Sequence, residues 1–269
     1  MHESPIIELG GLHIDLSIVL MLIVTSTIVF VLALLATRNL SVENPGKLQN
    51  FMEWVVEFVQ GLISSTMDLK KGRPFLSLGM TLIMFIFVGN MLGLPFGIVT
   101  SYDSAEAATI FSKPLLSVQE VFHSAAPGSH PHAAVAWWKS PTADLSVTLG
   151  LALIVFAIVH FMGMTRNTKA YFKHYVQPFP LFLPINLIEN ISKPLTHGIR
   201  LYANIFAGEV LISVILQMSA LGIGGYIASV AGLIAWQGFS IFIGSIQAFV
   251  FTILTFVYLS QTIDTHEEH

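Results

Sequence analysis

Five stretches of this chain are apolar over lengths that suit a bilayer rather than a water-soluble core: about residues 14 to 36, 75 to 98, 144 to 164, 181 to 218 and 226 to 260. A helix rising 1.5 Å per residue needs about 20 residues to cross roughly 30 Å of hydrocarbon, so each stretch predicts a membrane-spanning helix. The chain is 54% hydrophobic and only 10% charged, with a mean hydropathy of +0.74. Those values lie far outside a soluble globular domain. The expected fold class is an all-α polytopic membrane protein: one integral membrane domain over 1–269, five spanning helices, one interfacial amphipathic helix at 48–67 and an external loop at 99–142.

Lys and Arg set the orientation. Arg38, Lys47, Lys70, Lys71 and Arg73 lie between the first and second spans, and Arg166, Lys169 and Lys173 between the third and fourth. The other loops hold only Lys113 and Lys139. The positive-inside rule then puts the N-terminus outside and the C-terminus in the cytoplasm. The opening "MHESPIIELGG" has no basic residue, so a cleaved signal peptide is not expected. With no cysteine there is no disulfide, thiolate nucleophile or thiolate-ligated metal. A net charge of -4 suggests no nucleic-acid partner.

Two segments depart from simple spanning. In "LQNFMEWVVEFVQGLISSTM", Leu48, Phe51, Met52, Val55, Val59 and Leu62 share one helical face, with Glu53, Glu57, Gln60 and Ser64 opposite. That pattern predicts a helix lying in the cytoplasmic interface with Trp54 at headgroup depth, or one packed on a partner. The last two apolar stretches are each about 35 residues, roughly 52 Å if helical, well beyond the hydrocarbon thickness. They are read as a long, strongly tilted hairpin, with Pro184 and Pro194 able to bend its first arm and "LGIGGY" at 221 to 226 supplying the turn.

Other motifs carry less. His123, His130 and His132 in the external loop lack a second ligand cluster with zinc-like spacing, so no metal is expected. "THEEH" at the C-terminus lacks the spacing of a metalloprotease helix and reads as a charged tail. Gly89, Gly93 and Gly97 recur every four residues, which permits close helix packing. No GxxxxGK[ST] phosphate loop is present, so neither a nucleotide site nor another cofactor is expected.

The chemistry is concentrated in "RLYANIFAGE", residues 200 to 209, inside the fourth apolar stretch. A charge near the bilayer centre costs about 2.5–3.5 kcal/mol on insertion scales, so it is retained for pairing, a hydrated path or transport. On a regular helix Glu209 lies about 180° around from Arg200. Glu189 is near the Arg200 face but about 16 Å away along the axis. Asp15 and Asp144 fall near the outer ends of their spans. No acid of this chain is placed to neutralise Arg200, so its counter-charge is expected from another subunit. Lys193 is a second cation on that face, nearer the cytoplasmic end, where a lysine can snorkel. Asn204 is one turn beyond Arg200 on the same face. Ser240, Gln247 and Tyr258 form one stripe of the last helix, and pairing the two long helices could bring Gln247 alongside Arg200. Such a seam is either interhelical hydrogen-bond glue or a hydrated ion route.

Together, "SKPLTHGIRLYANIFAGE" (192 to 209) and "IQAFVFTILTFVYLS" (246 to 260) resemble the a subunit of the F-type rotary ATP synthase, as does "GNMLGLPF" at 89 to 96. The resemblance implies the stator half of a membrane proton channel, packed against a rotating ring of c subunits. It implies that Arg200 faces the ring carboxylate, and that Asn204, Glu209, Gln247 and Asn90 belong to two offset half-channels carrying H⁺. The b-type peripheral stalk, membrane lipid and, indirectly, the soluble F1 catalytic head are the other implied partners. The expected location is the bacterial cell membrane. Some relatives have a histidine where this chain has Ser240, so the outer half-channel is expected to use Glu209 with hydroxyls, amides and water. His197 stands where an aliphatic residue is frequent; as a near-neutral titrating group it could join the inner route, or equally face lipid headgroups. His160 is undecided in the same way.

Three rivals predict other features. A self-contained secondary ion transporter predicts an internal repeat with broken helices in both halves, and the sequence has no such repeat. An intramembrane enzyme needs a nucleophile and base in register, and no serine motif supports one. A purely structural assembly subunit would leave Arg200 replaceable.

Overall fold

A computed structural model describes residues 3–94, 98–110, 113–125, 132–166, 168, 171, 176 and 179–264. The chain is predominantly helical, and five of its helices are long and apolar enough to cross a membrane. The helices are α1 (Leu16–Thr37), α2 (Lys47–Thr66), the single turn α3 (Leu69–Gly72), α4 (Leu76–Leu92), α5 (Leu116–Ser124), α6 (Leu145–Arg166), α7 (Leu183–Met218) and α8 (Ile223–Asp264).

Local chemistry sets several of the ends. The Asp15 carboxylate accepts the Ser17 backbone N–H at 2.9 Å and so caps α1, satisfying an amide that has no partner within the helix. Asp144 does the same for α6, accepting from the Ser146 N–H at 2.8 Å. Pro184 sits in the first turn of α7, where its missing N–H is harmless, whereas Pro194 lies inside an unbroken helix. The α7–α8 turn spans 219–222, tighter and earlier than the 221–226 expected. Ser219–Leu221 forms a 3₁₀ turn, and Gly222 reverses the chain at φ 86°, a conformation that β-carbon sterics deny to most residues. Gly224 and Gly225 are already helical.

Packing is not evenly shared. α4 runs along α8, α6 along α7, and α7 along α8. Val59 and Ile63 of α2, Ile86 of α4, Val155 of α6 and Phe256 and Leu259 of α8 are buried together in one core. Only 6% of the most apolar window of α7 is buried, against 39% in α4 and α8. The helix carrying Arg200 is therefore the least covered by its own chain.

Helix α2, expected at the interface, divides its apolar residues. Val55, Val59, Leu62 and Ile63 of α2 are buried, joining α2 to the chain's own core. Phe51, Trp54 and Phe58 remain exposed in a row, with ring centroids 6.4 and 5.9 Å apart. The second spanning helix stops at Leu92, where the apolar run had suggested 98, because the chain turns at Gly93 and enters strand β3 by Val99. The 99–142 loop also has structure that its composition did not announce. A hairpin of β1 (Ile6–Leu9) and β2 (Leu12–Asp15) lies beside two further antiparallel pairs, β3 (Val99–Tyr102) with β6 (Ala133–Ala136) and β4 (Thr109–Ile110) with β5 (Lys113–Pro114). With α5 these enclose a second small core of Ile7, Ala108, Leu115, Val118, Ala133 and Val135.

Candidate functional site

Four of the seven polar residues singled out in the sequence meet in one place. Asn90 of α4, Asn204 and Glu209 of α7 and Ser240 of α8 line a cavity of about 230 Å³, together with Ser140 and Trp236. Helix geometry explains the meeting of Asn204 and Glu209: five residues apart, they straddle the side of α7 that faces α8, with Gly208 between them where a side chain would narrow the gap. The Glu209 carboxyl makes no hydrogen bond to any described residue and borders the cavity.

The outer wall is held by hydrogen bonds. Asn90 is 3% exposed; its amide donates to the Gly244 carbonyl at 2.9 Å, and its amide oxygen accepts from the Thr142 hydroxyl at 2.5 Å. Thr142 in turn meets Ser140 at 2.7 Å, and the Ser140 hydroxyl donates to the Gly89 carbonyl at 3.1 Å. Asn90 thus braces α4 against both α8 and the 140–142 turn. Gly93 permits that approach: a β-carbon there would lie 2.8 Å from the Ser140 backbone nitrogen. Gly93 therefore packs against the 140–142 turn and Gly89 against that turn and Thr25 of α1, while Gly97 lies outside the described residues.

Arg200 does not line this cavity. It is exposed on α7, and no carboxylate among the described residues lies within ion-pairing distance of it. Glu189 instead pairs with Lys193 at 2.9 Å, one turn apart. That contact gives the second cation of the face a partner and leaves Arg200 without one from this chain. Gln247 is buried on α8, but no hydrogen bond joins it to Arg200.

His197 turns the other way. It is 2% exposed and packs against Phe251 at a centroid distance of 3.8 Å, with Tyr258 at 5.8 Å and Phe156 at 6.5 Å. Its Nε2 finds no partner among the described residues, and neither does Nδ1 of His160, whose ring lies 6.1 Å from that of Phe156. Arg200 and His197 therefore present different environments within one turn: an open charge and an enclosed imidazole.

Just ahead of α1, Asp15 meets Lys139 at 2.6 Å, and Lys139 also donates to the Ser4 hydroxyl at 2.8 Å. Burial pushes the Asp15 carboxyl up, but the Lys139 and Ser17 hydrogen bonds, the Lys139 charge and a Ser4 hydrogen bond together hold it below its ordinary 3.8. Sequence reasoning missed this strap, along with Trp236, Ser140 and Thr142. Trp236 had a readable signal, since it stands four residues before Ser240 on the same side of a helix. Ser140 and Thr142 had none, because no periodicity in "KSPTAD" says which helix the turn will touch.

Comparison with known proteins shows what the chain as a whole is similar to. Residues 18–260 match the family model described as ATP synthase A chain. The chain is 48% identical over 263 residues to ATP synthase subunit a of Anoxybacillus flavithermus, covering 97% of this chain and 98% of that one. It is 45% identical to the Bacillus subtilis protein of that name over 97% and 98% of the two chains, and 46% identical to the Staphylococcus carnosus one over 98% and 99%.

Proposed function

The chain belongs to the ATP synthase A chain family and is a multi-pass membrane protein; from that premise we propose that it is the stator half of a proton channel, with Arg200 as its fixed charge opposite a carboxylate of a rotating c-subunit ring. The observation that carries this reading is the position of Arg200: charged, exposed, and without a carboxylate partner among the described residues, on the barest of the long apolar helices. A cation is costly in lipid, so a partner that brings the anion completes the site.

The physics of the charge follows directly. A carboxylic acid facing lipid stays neutral, because desolvation disfavours its ionised form, whereas beside a cation it gives up its proton. A guanidinium suits the task better than an ammonium, since it stays charged where a desolvated lysine can become neutral. Arg200 thus discharges each ring site as it passes and cannot carry the proton itself, which blocks a direct leak between the two sides. A proton crossing 100 mV releases about 2.3 kcal/mol, so several must pass for each ATP made.

In this reading the cavity lined by Asn204, Glu209, Ser240 and Asn90 belongs to the outer half-channel, with Glu209 as its proton-exchanging group. Gln247, buried on α8, also belongs to the path, and His197 joins the inner route. α7 and α8, at about 54 and 63 Å if straight, run strongly tilted across roughly 30 Å of hydrocarbon and wrap the ring with their uncovered side. The N-terminus lies outside and the C-terminus in the cytoplasm. The chain binds no nucleotide of its own and couples to the soluble head through the ring and a b-type stalk.

Cysteine cross-linking in the assembled complex tests the reading. With Asn204→Cys on α7 and a cysteine one turn from the carboxylate of the ring helix, oxidation is expected to join the two chains and stop ATP-driven pumping. Failure to cross-link while an α4–α8 control pair does so would remove the proposed interface.

A further inference from the structure

Trp236 is the largest side chain bordering the Glu209 cavity, and it is oriented in a particular way. Its Nε1 is shielded from solvent yet finds no hydrogen-bond acceptor among the described residues. The edge of the indole bearing that nitrogen lies over Gly208: a β-carbon built there would meet Cζ2 at 3.6 Å and Nε1 at 4.0 Å. Gly208 immediately precedes Glu209, and both line the same cavity as Trp236. An enclosed N–H without an acceptor forfeits the hydrogen bond it would make in water. It is rarely tolerated unless water or a ligand completes it.

A tryptophan chosen only for bulk would turn its nitrogen toward a protein acceptor or out of the protein. Trp137 and Trp138 of this chain do the former, donating to the Thr100 hydroxyl at 2.8 Å and the Leu92 carbonyl at 2.7 Å. Trp236 differs from both. It packs its ring on Phe239 at 5.1 Å and leaves the N–H free beside a cavity of about 230 Å³, several times the roughly 30 Å³ that one water occupies in the liquid.

We propose that Trp236 is a positioning residue of the proton path: its indole N–H holds the water that exchanges protons with the Glu209 carboxyl. This rests on the stator reading above and names a donor which that reading does not. The indole neither accepts nor gives up a proton at physiological pH, so it orients the carrier without competing for the charge. Gly208 keeps the space between donor and acid open, and the hydroxyl of Ser240 and the amide of Asn204 complete the polar lining.

The test is ATP-driven proton pumping in vesicles carrying the whole complex, at matched assembly. Trp236→Phe retains an aromatic ring and deletes the N–H, whereas Trp236→His restores an N–H donor on a smaller ring. The expected result is a loss of about three- to tenfold in Phe and recovery of at least half the native rate in His. Native pumping in Phe overturns the inference, and so does an equal loss in both variants, which assigns Trp236 to packing alone. Glu209→Gln in the same vesicles separates the two levels: if it pumps normally, Glu209 leaves the route and the half-channel assignment of the stator reading fails with it, and if it is inactive while Phe is native only the role of Trp236 fails.

Discussion

At the scale of single residues, the decisive contrast is between charges that this chain satisfies and Arg200, which it does not. Lys193 has Glu189, and Lys139 has Asp15 and Ser4, whereas Arg200 has no carboxylate among the described residues. Glu209 is the acid with cavity access on the same helix, so Glu209→Gln is expected to lower ATP-driven pumping at least tenfold without lowering assembly; pumping above half the native rate would exclude Glu209 from the route. The Asp15–Lys139 strap gives a pH prediction with a definite sign. Because the folded carboxyl is held below its ordinary 3.8, its contribution is complete above that value and is lost as pH falls through the lower, folded value. A nitroxide attached at Gly10→Cys should therefore grow more mobile in acid, and Lys139→Met should be mobile already at neutral pH. Equal mobility in both proteins at every pH would mean that the strap holds nothing.

At the scale of elements, the sequence revealed the spans but not their neighbours, and the reason is physical. α1 and α4 are apolar all round, so periodicity cannot say which side meets protein and which meets lipid. The contact side is set by close approach, and Gly93 against Ser140 is an example that no pattern foretells. Gly93→Val should cost about 1–3 kcal/mol by overpacking, read as a lower denaturation temperature of the complex in detergent; an unchanged temperature would show that the 140–142 turn yields freely. α2 was legible as amphipathic from its Glu and Val spacing, yet its division into a buried edge and an exposed aromatic row depends on where α4 and α8 lie. The candidate site was half legible. Arg200, Asn204 and Glu209 stand out because polar residues in an apolar run are costly, whereas Trp236 and Thr142 belong to types that occur everywhere, and they gain meaning only from what surrounds them.

At the scale of the whole molecule, the account makes one chain half of a machine. α4, α7, α8 and the 140–142 turn enclose the Glu209 cavity, and Arg200 stays exposed on α7, open to a partner. The orientation can be tested cleanly because the chain has no cysteine of its own. A single cysteine at Glu8 should react with a membrane-impermeant thiol reagent only from outside, and one at Glu43 only from the cytoplasm; the reverse pattern would invert the half-channels. The central claim is that Arg200 is the stator charge, and the most direct measurement is ATP-driven proton pumping by the whole complex with Arg200→Ala at matched assembly. The account predicts that pumping disappears while the complex stays intact; pumping that persists would show that the arginine is structural and contradict the mechanism.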